Sequence, residues 1–129
     1  MSYVYSKVDE LDGTEKVGSK QCVALLQHYQ NLPGTKFWTE GAVAWGNRFI
    51  MKGTAIATFV NGKYESLSTE NHAAFYVSQD TKGIWIMDQW SSDISKPKVS
   101  MRHIKPRGRN KSGAYIDPSN NADAFSVIE

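Results

Sequence analysis

Cysteine is nearly missing from this sequence: Cys22 is the only one in 129 residues. No disulfide can form within the chain, and a structural zinc site built on several cysteines is excluded. Charge of one sign is also scarce. Fifteen Lys and Arg against thirteen Asp and Glu leave a net +2, well short of the concentrated basic stripe expected of a nucleic-acid binder. No apolar run approaches the roughly 20 residues of a membrane span. The opening Met1-Ser2-Tyr3-Val4-Tyr5-Ser6-Lys7 has no basic stretch leading into an apolar one, so no secretory signal peptide is expected. No internal repeat is present.

What remains is an ordinary globular balance, 40% hydrophobic and 22% charged residues. The length fits a single domain over 1–129, with a core over about 18–105 and a C-terminal extension over 106–129. A chain of this size buries enough surface to hold a core without disulfides.

Hydrophobic spacing predicts the elements. Cys22, Leu25, Leu26 and Tyr29 recur at i, i+3, i+4 and i+7, one face of a helix. Ser19 is its expected N-cap, and Pro33-Gly34 stops it. Phe37 to Gly46 reads as a second, short helix capped by Thr39, with Trp38, Ala42 and Trp45 on one face. Strands follow over 54–60, 72–77, 84–90 and 99–104, with Asn61-Gly62 as a turn and 65–71 as a polar loop. Residues 79–83 make a hairpin loop. Ala124 to Ile128 reads as a last edge strand, and 108–121 as a surface loop near the cleft. Helices first and antiparallel strands after give an α+β fold.

Cys22 sits where a thiolate is favoured, because free N–H groups at a helix start and the helix dipole attract negative charge. A lone cysteine on an apolar helix face is also common core filler. A nucleophilic cysteine needs a base and a group that orients the base. His28 lies six residues on, about 240° around the helix, and points elsewhere. His103, beside Arg102 and Lys105, belongs to a solvated basic edge. His72 opens a small-residue strand after the polar loop. With the hairpin centred near Asp80, His72 falls opposite Asp88 on the same face. Asp88 would then hold one ring nitrogen and leave the other for Cys22. A register one residue longer puts Gln89 there instead. The candidate catalytic residues are therefore Cys22, His72 and Asp88. Ser19, Gln21, Gln89 and Trp45 are candidates for oxyanion or substrate contacts. No metal and no cofactor is expected.

The order of these motifs resembles the papain-like amidases of the NlpC/P60 and CHAP type. Gln21-Cys22 is similar to the Gln-Cys of CHAP domains, and Asn71-His72-Ala73-Ala74-Phe75-Tyr76-Val77 to their histidine strand. Asp88 falls where those families place the third residue. Asn71 departs from the usual glycine before the histidine. The resemblance implies a papain-like fold, helices on an antiparallel sheet, and cysteine hydrolase activity. The compact chain most resembles the small amidase effectors of type VI secretion. That implies bacterial peptidoglycan as substrate, at amide bonds involving diaminopimelate. It also implies delivery to a rival's periplasm and a cognate immunity protein as partner. The same three residues would equally serve a deamidase or transglutaminase acting on protein, or persist in an inactive binding module.

Overall fold

A computed structural model of the chain describes residues 2–65 and 70–129. Residues 66–69, within the expected polar loop, lie outside the described residues. Among the described residues the elements are α1 (Cys22–Gln30), β1 (Glu40–Val43), β2 (Ala55–Thr58), β3 (Ala73–Gln79), β4 (Ile84–Asp88), β5 (Ser100–Ile104) and β6 (Phe125–Ile128), with short 3-10 turns at Val8–Leu11, Thr35–Phe37, Pro118–Asn120 and Ala122–Ala124. The strands form one sheet in the order β1-β6-β2-β3-β4-β5, and each neighbouring pair is antiparallel. This is the α+β arrangement expected, with one α-helix among the described residues where two were expected. Among the described residues, no helix is long and apolar enough to cross a membrane.

Alternation along the strands builds two apolar layers. On one face Ala73, Phe75, Met87, Ala55 and Ala57 pack with Leu25 and Leu26 of α1. On the other, Ala74, Tyr76, Ile84, Ile86 and Ile104 pack with Ala122 and Phe125. Both faces are covered, so β3 is buried from Ala73 to Val77. Gly53 enters β2 at φ +94°, and a Cβ there would stand 2.0 Å from the Tyr5 carbonyl oxygen, so only glycine fits.

Two expected elements differ. Phe37 to Gly46 is not a helix. A 3-10 turn covers Thr35–Phe37, and Glu40–Val43 is strand β1. The spacing of Trp38, Ala42 and Trp45 mimics a helix face. Thr39 instead exchanges backbone hydrogen bonds with Glu129, and β1 pairs with β6. The C-terminal strand is not an edge. β6 lies between β1 and β2 and is buried throughout, because Phe125 and Val127 fill one apolar layer and Ile128 the other.

Helix α1 starts without the expected cap. Gln21 holds the N-cap position and makes no side-chain cap bond. Gly18 and Lys20 both take positive φ in a tight turn, and Lys20 N–H donates to the Val17 carbonyl at 2.9 Å. Ser19 Oγ accepts a weak bond from Gln21 N–H at 3.4 Å. The turn is held from outside. Gln89 Nε2 donates to the carbonyls of Val17 and Gln21 at 3.1 and 2.8 Å, and its Oε1 accepts from Val17 N–H at 3.0 Å. Asn31 ends the helix in the left-handed region, its N–H donating to the Gln27 carbonyl.

Candidate active site

Cys22 is the first residue of α1, and His72 immediately precedes β3. The helix packs across that end of the sheet, so thiol and imidazole meet at one end of a cavity of about 670 Å³, a size usual for ligand sites. His72 Nε2 lies 2.7 Å from Asp88 Oδ2. That leaves Nδ1 as the ring nitrogen available to the thiol. The His72 ring is wedged edge-on between Trp90 and Phe125, with centroids 6.0 and 6.3 Å away, which fixes its plane.

The register that brings His72 to Asp88 differs from the expected one. Near the turn, Gln79 pairs with Ile84 and Ser78 with Trp85. Beyond an irregularity at Val77, Tyr76 pairs with Ile86 and Phe75 with Met87. Continuing that register sets Asp88 against Ala74, two residues from His72 and on the same face. The contact is diagonal rather than direct. The extra residue at Val77 behaves as a β-bulge, and it decides which side chain His72 meets. Without the one-residue shift, Gln89 would share the His72 face. With it, Gln89 turns to the helix face, is fully buried, and clamps the turn before Cys22.

Asp88 is fully buried and carries three charged partners. Besides His72, Lys96 Nζ donates to Oδ1 at 2.6 Å and Arg102 Nε to Oδ2 at 2.7 Å. Both cations lie over the Trp90 ring, 4.7 and 5.1 Å from its centroid. Burial works to raise the Asp88 pKa, but His72 and the two cations outweigh it and hold the carboxyl far below its ordinary value. Burial likewise opposes the imidazolium of His72, yet Asp88 and the thiol raise its pKa overall. Burial also opposes the Cys22 thiolate. The His72 ring, the Tyr64 hydroxyl and the Ala73 backbone N–H together bring the thiol pKa down. Opposite shifts on the two groups favour a thiolate–imidazolium pair.

Tyr64 was not anticipated from sequence. Its Oη sits 3.7 Å from Cys22 Sγ, and its ring packs on Trp38 at 4.9 Å. Burial and the neighbouring thiolate push its pKa well up, so the phenol stays protonated and can donate. The Asn61-Gly62 turn places it, but nothing in the local sequence marks it. Lys96 and Arg102 were also missed, since each reads as a surface cation.

Gln21 lines the cavity with Thr35, Asn71, Trp90 and Arg102. The first N–H groups of a helix have no intrahelical partner, and Cys22 and Val23, at the start of α1, line the same cavity. Three expected contacts lie elsewhere. Ser19 is exposed in the turn, and Gln89 is a buried clamp. Trp45 borders a second cavity with Tyr76 and Gln79, because Glu40–Val43 is a strand and carries it to the other face. Of the remaining aromatics, Trp38 is buried, with its indole N–H on the Pro33 carbonyl. The C-terminal segment forms one wall through Asp117, Ser119 and Asn120, as the expected loop near the cleft requires.

A solved structure shares this architecture, and sequence relatives accompany it. The chain is 50% identical over 133 residues to the type VI secretion amidase effector 2 protein of Salmonella typhi, covering 100% of both chains. It is 37% identical over 117 residues to domesticated amidase effector 2 of Ixodes scapularis, covering 88% of this chain and 73% of that one. The solved structure of type 6 secretion amidase effector 2 superposes with a TM-score of 0.93 at 49% identity, covering 98% of this chain and 94% of that one. The profile of the domesticated amidase effector 2 family matches residues 2–128, and with a papain-like fold around Cys22 the chain belongs to that family.

Proposed function

We propose that this chain is a cysteine amidase that hydrolyses amide bonds in the peptides of bacterial peptidoglycan. It is delivered by type VI secretion into the periplasm of a target cell, where a cognate immunity protein is its natural antagonist. The observation that carries the reading is Cys22 at a helix start facing the His72–Asp88 pair inside a cavity.

The thiolate of Cys22 attacks the carbonyl carbon, and its proton resides on His72 Nδ1. The tetrahedral oxyanion is met by the backbone N–H groups of Cys22 and Val23. Tyr64 donates its hydroxyl hydrogen toward the sulfur while the thiolate is present. His72 then protonates the leaving amine, and the C–N bond breaks to leave a thioester. Water attacks the thioester, giving its proton back to His72, and releases the carboxylate and the thiol. Asp88 stays ionised throughout and holds the imidazole in one orientation.

The test is purified protein on sacculi, with released muropeptides resolved by mass spectrometry. Products carrying a new amine on diaminopimelate are expected, either from the stem bond after D-Glu or from the cross-link to D-Ala. Cys22→Ala should yield none while keeping its fold. Equal product from Cys22→Ala would sink the reading, and a Gln-to-Glu mass change in a protein substrate would replace it with deamidation.

A further inference from the structure

On the reading that Cys22, His72 and Asp88 carry the reaction, we propose that Arg102 is a positioning residue for the amidase. Its guanidinium fixes Asp88 against His72 and ties that carboxylate to the Ser119-Asn120 wall of the cleft.

Charge alone does not require it. Lys96 already neutralises Asp88 through Oδ1, and a second of its donors goes to the Ser100 carbonyl at 3.1 Å. Arg102 takes the other oxygen, the same Oδ2 that holds His72. Arg102 pairs with Ile86 across β4 and β5, which puts it on the Asp88 face. The rest of its fork reaches away from the triad. One Nη donates to Asn120 Oδ1 and the other to the Ser119 carbonyl at 2.8 Å. Ser119 Oγ in turn donates to the carbonyl of Asn71 at 3.1 Å, the residue before His72. The hydrogen bonds therefore close a ring: His72, Asp88, Arg102, Ser119, Asn71, and back to His72 through the chain. Only a planar, multiply donating side chain can span Asp88 and two separate acceptors at once, and lysine cannot. The cleft wall and the orientation of the base are thereby set as one unit.

Titratable and charged groups around this ring are Cys22 from α1, the neutral phenol of Tyr64, Lys96, and the cavity carboxylates Glu70 and Asp117. Asp93 stands behind, accepting from the Trp90 indole at 2.8 Å. The experiment measures kcat, KM and the pH dependence of kcat/KM on cross-linked muropeptides for Arg102→Lys, Arg102→Gln and Asn120→Ala, with Tm for each. Arg102→Lys keeps a cation and loses the fork, so kcat should fall about 10-fold or more at unchanged KM, as small misplacements of catalytic groups do. Arg102→Gln should fall further, and both limbs of its pH profile should move upward because a cation has left the cluster. Asn120→Ala releases only the wall end, so kcat should fall while the limbs stay in place. Combining Asn120→Ala with Arg102→Lys should be no worse than Arg102→Lys alone. Wild-type kcat in Arg102→Lys, or additive losses in the double variant, would overturn the proposal, and so would unshifted pH limbs in a folded Arg102→Gln. Cys22→Ala in the same assay separates the two levels. If it still cleaves, the parent reading fails; if it is dead, any failure of these outcomes counts against the role of Arg102 alone.

Discussion

Asp88 and Gln89 are consecutive residues that face opposite sides of the sheet, and both serve Cys22. Asp88 orients His72 from one face. Gln89 secures the turn that presents Cys22 from the other, with three hydrogen bonds to Val17 and Gln21. The end of β4 thus sets nucleophile and base relative to one another through a single rigid strand. The irregularity at Val77 chooses which residue does which.

The thiolate–imidazolium pair predicts an extended acid limb for Cys22 reactivity. The thiol pKa is lowered, so iodoacetamide should alkylate Cys22 at pH values below those where an ordinary thiol, with pKa near 8.5, reacts. In His72→Ala only burial and weaker donors remain, and burial raises the pKa. Alkylation at pH 6 should then drop by about 10-fold or more, since one pKa unit is tenfold in thiolate. An unchanged rate–pH curve in that variant would show that His72 does not act on the sulfur.

Asp88 should dominate the acid side of stability. Its folded pKa is depressed, so its contribution is full above the unfolded value of about 3.9. That contribution is lost as pH falls through the folded value. Asp88→Asn should flatten the decline of the urea midpoint below about pH 4. It also leaves Lys96 and Arg102 without a counter-ion, costing about 3–5 kcal/mol at neutral pH. Lys96→Met leaves Asp88 with two cationic partners and should cost less. Urea denaturation that ranks Lys96→Met as the worse of the two would refute this account of the cluster.

Tyr64→Phe isolates one hydroxyl. The ring still packs on Trp38, so Tm should hold. The thiolate loses a donor at 3.7 Å, worth about 1 kcal/mol. Cys22 alkylation near pH 6 should slow several-fold, and kcat should fall with it. A variant with wild-type alkylation would leave Tyr64 as a packing residue.

Much of this site could be read in one dimension because its determinants are local. The i, i+3, i+4, i+7 spacing from Cys22 to Tyr29 made α1, and strand alternation put His72 and Asp88 on one face. What escaped depends on distant partners. Phe37 to Gly46 carries helical spacing, but pairing with β6, at the far end of the chain, made Glu40–Val43 a strand. The Val77 irregularity has no turn residue to announce it. Lys96 and Arg102 look like solvated cations until the buried carboxylate of Asp88 collects them.

The clamp by Gln89 can be tested for chemistry as well as size. Its amide accepts from one N–H and donates to two carbonyls. Gln89→Leu removes all three bonds and leaves the Val17 N–H unpaired, at a cost of about 1–3 kcal/mol, while the Val17 and Gln21 carbonyls keep the Lys20 and Ala24 N–H donors. Gln89→Glu keeps the acceptor but sets a buried carboxylate against two carbonyl oxygens. At neutral pH it should be at least as destabilising as Gln89→Leu. The introduced carboxyl has a raised folded pKa there, because its neutral form alone can donate to a carbonyl. The deficit should therefore shrink as pH falls toward 5, opposite in direction to the Asp88 effect. Amidase activity should track the same curve, since the clamp holds the turn before Cys22. Thermal melts of both variants from pH 5 to 8 check this. A Gln89→Glu deficit that is flat with pH, or full activity in Gln89→Leu, would show that the turn holds its shape without the clamp.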